Sequence, residues 1–148
     1  MAVAGEIPEH FPAGHMYLFL TRLEPWEESG LHIVVAQGRA GEVATHLPSE
    51  LGTLRQIEPD PDGWVIGLYW SNYVAYAVRD RAFAVSRDER PAQLIELTAS
   101  PYLDHVARTS ANIDDLGVPL RHWELETLNH VLDVVSFDPP RVNSVPGL

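Results

Sequence analysis

The stretch GWVIGLYWSNYVAYAV, residues 63–78, is a run of sixteen residues without a charge, and five of them are Trp or Tyr. A chain that folds in water has to cover most of that surface. Trp64, Ile66, Leu68 and Trp70 alternate with Val65, Gly67, Tyr69 and Ser71, the two-residue period of a strand buried on both faces. Ser71-Asn72 offers a turn into YVAYAV (73–78), so the pattern predicts a central antiparallel hairpin. A helix with Tyr73, Tyr76 and Ala77 on one face is the competing reading. Large aromatic side chains line cores more often than ligand pockets, and the run is read as core.

The rest of the chain supplies neighbours for that hairpin. HMYLFLTRL (15–23), GLHIVVAQ (30–37) and AQLIELTA (92–99) have the β-branched and aromatic content of strands, and AFAVSR (82–87) extends or follows the same sheet. PWEESG between the first two reads as a polar loop, and EPDPDG (58–63) as a turn. LPSELGTLRQ (47–56) predicts a short helix with Pro48 in its first turn. Ser100-Pro101 is an N-cap followed by proline at the first helical position, with Asp104 towards the positive end of the dipole, so PYLDHVART (101–109) is a helix.

RHWELETLNHVLDVVSF (121–137) carries helical spacing in Leu125, Leu128 and Leu132. A hairpin turning at Leu128-Asn129 instead pairs Trp123 with Val134, Leu125 with Leu132 and Thr127 with His130, and this coherent apolar side favours the hairpin. The proline-bearing segment 138–148 reads as a loose tail. A length of 148 residues suits one domain, 1–148. The fold class is α+β, a mainly antiparallel β-sheet with one or two helices packed on one face.

Charge excludes whole classes of partner. The chain has 21 acidic residues against 10 arginines and no lysine, for a formal net charge of −11. Residues 1–62 hold 10 acids and 3 arginines (−7), and residues 63–148 hold 11 and 7 (−4). A polyphosphate needs a basic face, so nucleic acid is not an expected partner; the acidic excess either steers a basic protein towards the N-terminal half or serves only to keep the chain in solution. The absence of cysteine removes disulfides, thiol catalysis and Cys-ligated metals, which fits a reducing cytoplasm. No secretory leader is legible and no stretch approaches the roughly 20 apolar residues of a membrane helix, so a cytoplasmic, soluble protein is expected. Arginine without lysine, with abundant Ala, Gly and Pro, points to a GC-rich bacterial genome.

Four groups of residues are candidates for function. On the solvent face of the 121–137 hairpin, His122, Glu124 and Glu126 fall on one side with Asp133 opposite Glu124; a divalent metal, an arginine such as Arg121, or water would relieve the opposed carboxylates. QGRAGE (37–42) follows a strand but lacks both the Walker lysine and the GxGxxG pattern, so no nucleotide or other cofactor is expected. The seven histidines, at 10, 15, 32, 46, 105, 122 and 130, form no HExxH, and no serine sits in GxSxG, so no catalytic residue is assigned. The fourth group is acidic: Glu24, Glu27 and Glu28 beside Trp26, and Glu58, Asp60 and Asp62 beside Trp64. An exposed aromatic flanked by acids is a hot-spot arrangement for a basic partner, and the alternative is two solvated loops with the tryptophans folded inward.

SNYVAYAVRD (71–80), LIELTASPYLDHVART (94–109) and LRHWELETLNHVLDVVS (120–136) followed by a Pro-Pro pair resemble segments of small bacterial proteins encoded beside secreted polymorphic toxins. Those proteins are of the toxin-immunity type. The resemblance covers the chain from about residue 63 and carries over no catalytic residue. It implies a cytoplasmic, non-catalytic inhibitor that binds one toxin domain. A small metal-dependent enzyme or metal-binding domain built on His122, Glu124, Glu126 and Asp133 is the alternative, and a structural or housekeeping dimer is a third.

Overall fold

The uncharged run 63–78 divides between two sheets. In the computed structural model, which describes residues 2–4, 18–43, 55–84, 94–113 and 117–145, it forms β5 (Val65–Trp70) and β6 (Tyr73–Asp80), and these two strands do not pair with each other. The other strands are β1 (Ala2–Ala4), β2 (Leu18–Trp26), β3 (Gly30–Val43), β4 (Arg55–Pro59), β7 (Leu94–Ala99), β8 (Arg121–Glu126), β9 (His130–Ser136) and β10 (Arg141–Val145), with one helix, α1 (Pro101–Thr109), among the described residues. The first sheet has the order β1-β7-β8-β9-β6, and the second the order β10-β5-β3-β2 with β4 paired to the far half of β3. Every pairing is antiparallel. The α+β class, mainly antiparallel sheet with a helix, is what the chain adopts.

The expected 64–78 hairpin is therefore corrected: its strands are real but its turn is a crossing between sheets. A two-residue hairpin loop needs positive φ at its central residues. Neither Ser71 nor Asn72 has it, since the described non-glycine residues with positive φ are Glu27 and Asn112. The chain instead arches over, with Tyr73 N–H donating to Ser29 C=O and Phe137 N–H to Asn72 C=O. β5 is flanked by β3 (Leu31↔Trp70, Ile33↔Leu68) and by β10 (Val142↔Leu68).

The sheets share one core. Leu31, Ile33 and Val35 of β3, with Ile66, Leu68 and Trp70 of β5, meet Leu94, Trp123, Leu125, Leu132 and Val134 of the first sheet. Each such side chain contributes about 2–3 kcal/mol by leaving water. At one end the layers are tied by a side chain: Asn129 Oδ1 accepts from Leu20 N–H (3.1 Å) and its Nδ2 donates to Leu20 C=O (3.3 Å). Asn129 thus joins the β8–β9 turn of one sheet to edge strand β2 of the other.

The expected C-terminal hairpin forms in the expected register, Trp123↔Val134 and Leu125↔Leu132, with Thr127 N–H donating to His130 C=O. Helix α1 also forms over 101–109. The Ser100 side chain accepts from Leu103 N–H (3.0 Å), and Val106 is buried. Other expectations are corrected. Pro25 and Trp26 end β2 rather than opening a loop, and QGRAGE belongs to β3 because Gly38–Ala40 find partners in β4. Arg81–Phe83 is a single 3-10 turn capped by Asp80, and 85–87 lie outside the described residues. Of the expected 47–56 helix, 47–54 also lie outside them, and Arg55 and Gln56 belong to a strand. The expected loose tail holds β10, because Pro139 and Pro140 precede the strand and Pro146 follows it in the sequence, which leaves Arg141–Val145 free to pair. No helix among the described residues is long and apolar enough to cross a membrane.

Candidate functional site

Antiparallel register decides what the polar residues of the C-terminal hairpin can reach. His122 and Glu124 alternate with Trp123 and Leu125, so once the indole faces the core they point to the opposite side of the sheet, where Asp133 stands across from Glu124. That side is not solvent, as the spacing suggested: His122, Glu124 and Asp133 are all buried. Helix α1 lies over it, with the Tyr102 ring edge-on to the His122 imidazole at 5.4 Å. Burial holds the Tyr102 hydroxyl above its usual value of 10.0, with the Asp133 charge adding to the rise.

Inside this cover runs a short relay. Ser100 Oγ lies 2.6 Å from His122 Nδ1, and His122 Nε2 lies 2.8 Å from Asp133 Oδ1. The second Asp133 oxygen accepts from the Arg79 guanidinium at 3.1 Å, and the same nitrogen lies 3.9 Å from Glu124. One protonation pattern satisfies every group: Nε2–H donates to the Asp133 carboxylate, Ser100 O–H donates to Nδ1, and Ser100 Oγ accepts Leu103 N–H. The relay thus fastens the start of α1 to the hairpin beneath it.

Serine, imidazole and carboxylate in a row are also the parts of an acyl-transfer nucleophile. Here the serine is only 5% exposed and its oxygen caps a helix. The nearby surface cleft of about 380 Å³, lined by residues including Leu103, Asp104, Ala107, Ile113, Val118 and Leu120, does not include Ser100. The serine hydroxyl is occupied by the cap and the imidazole.

The metal alternative meets the same geometry. His122, Glu124 and Asp133 offer ligand atoms within 4.8 Å of one another, so the hairpin brings together three of the four candidates. Glu126 is elsewhere, paired with Arg81. Both imidazole nitrogens are engaged, and Arg79 already places a cation against the carboxylates. A divalent ion fits only if Arg79 and one imidazole bond give way. The opposed acids are therefore relieved by arginine, with Arg79 in the role considered for Arg121. Arg121 instead forks onto Glu96 at 2.9 and 2.7 Å and stacks over Trp123.

The two acidic groups are separate surfaces. Trp26 faces Gly30 across the β2–β3 turn, whereas Glu58 faces Arg39, nine residues along β3, a span of about 30 Å. At the far end, Arg39 lies 3.3 Å from Glu58 and 3.9 Å from Asp60, Asp62 N–H donates to Asp60, and Trp64 packs against the core. At the near end, Trp26 is 46% exposed and rests on the His32 ring at 5.7 Å, with Glu24 3.8 Å from His32. Glu27 takes positive φ (55°) and accepts from the Tyr69 hydroxyl, and Glu28 is exposed. Gly30 permits this tight turn, since a Cβ there would stand 2.5 Å from Trp26 C=O. His105 is exposed on α1, His32 is half-buried, and His10, His15 and His46 lie outside the described residues.

Comparison of the chain with protein-family models, with curated proteins and with solved structures finds no match.

Proposed function

We propose that the chain is a non-catalytic binding protein, an inhibitor of the immunity type, that holds a basic protein domain in the bacterial cytoplasm. The observation that carries this reading is the β2–β3 tip. There a half-exposed tryptophan is pinned on His32 in the company of Glu24, Glu27 and Glu28. A fixed aromatic gives contact area at little entropic cost, and acids beside it attract a cationic surface and speed encounter. The net charge of −11 acts in the same direction at longer range. The 58–62 loop is the weaker half of the sequence-based contact surface, because Arg39 already lies against Glu58 and Asp60.

The buried relay supports a binding role over a metal enzyme, since its imidazole nitrogens and the Asp133 oxygens are engaged within the fold. The test is capture of protein from a lysate of the producing organism on the tagged chain, eluted with rising salt. A basic protein released as salt screens the contact is the expected result. Retention of no basic protein, or retention that salt does not weaken, contradicts the reading.

A further inference from the structure

Strand β6 ends the first sheet, and among the described residues no strand pairs with its outer edge. Natural edges are usually blunted by charge or proline. Here Tyr73–Val78 contains neither. None of the β6 residues is buried, whereas five of the six in β5 are. Val78 is 43% exposed, and Phe83, in the 3-10 turn just beyond the strand, is 87% exposed.

The edge is also self-complementary. Val74-Ala75-Tyr76-Ala77-Val78 reads the same in both directions. An antiparallel pair about a two-fold axis through Tyr76 sets Tyr76 against Tyr76, Ala75 against Ala77 and Val74 against Val78, and keeps each core-facing side on the same face of the joined sheet. Asn72 and Tyr73 lie outside this pairing, because Tyr73 N–H already donates to Ser29 C=O. No like charges meet. The bulge between Tyr73 and Ala75 curves the start of the strand, so the regular part of the pairing is its centre.

We infer that a second copy of this chain occupies the β6 edge, joining two five-stranded sheets into one of ten strands across a two-fold axis at Tyr76. This does not rest on the inhibitor reading, which concerns the β2–β3 tip. Sedimentation equilibrium of the full chain across a range of micromolar concentrations tests it. The expected result is a species of twice the 16.5 kDa chain mass. Its dissociation constant rises at least ~10-fold in Val78→Lys and in Phe83→Asp, and is unchanged in Val118→Lys, a substitution beside α1. Phe83 is exposed enough that its substitution leaves the thermal melt in place, so a lost dimer is not a lost fold. A monomer at every concentration overturns the proposal and leaves the edge to an extended segment of another protein. A dimer that either β6-edge substitution leaves intact also overturns it.

Discussion

Ser100 Oγ stands 2.6 Å from Nδ1 of His122, so the residue that caps the only α-helix among the described residues is also the hydrogen-bond partner of a histidine buried in the sheet beneath. One hydroxyl serves local helix capping and tertiary docking at once. Ser100→Ala removes both the cap and the partner of Nδ1, and about 2 kcal/mol of stability should be lost in urea unfolding. Ser100→Thr, which keeps the hydroxyl, should recover most of it.

Asp133 stands between His122 and Arg79. Asp133→Ala leaves a buried imidazole N–H without its acceptor and deprives Arg79 of its nearest carboxylate, so a loss of about 3 kcal/mol is expected from the same measurement. Because Ser100 and Asp133 act through one imidazole, the double mutant should lose less than the two single losses combined.

Arg79 stands where a metal would meet the carboxylates of the cluster. Zinc or manganese added to the wild-type chain should leave its melting temperature unchanged. In Arg79→Ala, where His122, Glu124 and Asp133 lose their resident cation, the metal should raise it. Stabilisation of the wild type by one metal equivalent would contradict the structural role given to the relay.

Tyr102 sets the alkaline limit of its corner of the fold. Its hydroxyl pKa is raised above 10.0, first by burial and then by Asp133, so the folded state holds this proton more tightly than the unfolded chain does. Its contribution to stability is therefore complete below pH 10 and declines as pH rises through the folded value. Tyr102→Phe should flatten that part of the stability curve in denaturation series run above pH 10.

Asn129 links the sheets through both of its amide atoms, which bond to the Leu20 backbone. Asn129→Ala should cost about 1–2 kcal/mol and speed amide exchange at Leu20 before it affects the centre of β3.

Residues with a strong local pattern told their structure in advance. Ser100-Pro101 located α1 because a cap and an N1 proline act within one turn of chain. The register of β8 and β9 followed from which pairing puts Trp123, Leu125, Leu132 and Val134 on one side. Pairing between distant segments was not legible. Trp64–Trp70 has the same alternation whether its neighbour is β6 or β3, and only the backbone at Ser71-Asn72 separates a hairpin from an arch. The polar cluster was half visible: spacing aligned His122, Glu124 and Asp133, but burial depends on α1 lying over them. Ser100 and Arg79 enter from 22 residues before His122 and 54 before Asp133. The capping pattern at Ser100 was visible, but its second partner was not. Likewise the two acidic loops looked like one surface until β3 set them at opposite ends.

The most direct test of the binding role is quantitative capture from one lysate by four forms of the tagged chain. These are wild type, Trp26→Ala, the triple reversal Glu24→Lys, Glu27→Lys and Glu28→Lys, and the matching reversal at Glu58, Asp60 and Asp62. A basic protein should be held by the wild type and by the 58–62 variant, and lost at least ~10-fold with Trp26→Ala and with the 24–28 reversal. Equal retention by all four forms, or loss only with the 58–62 variant, would contradict it.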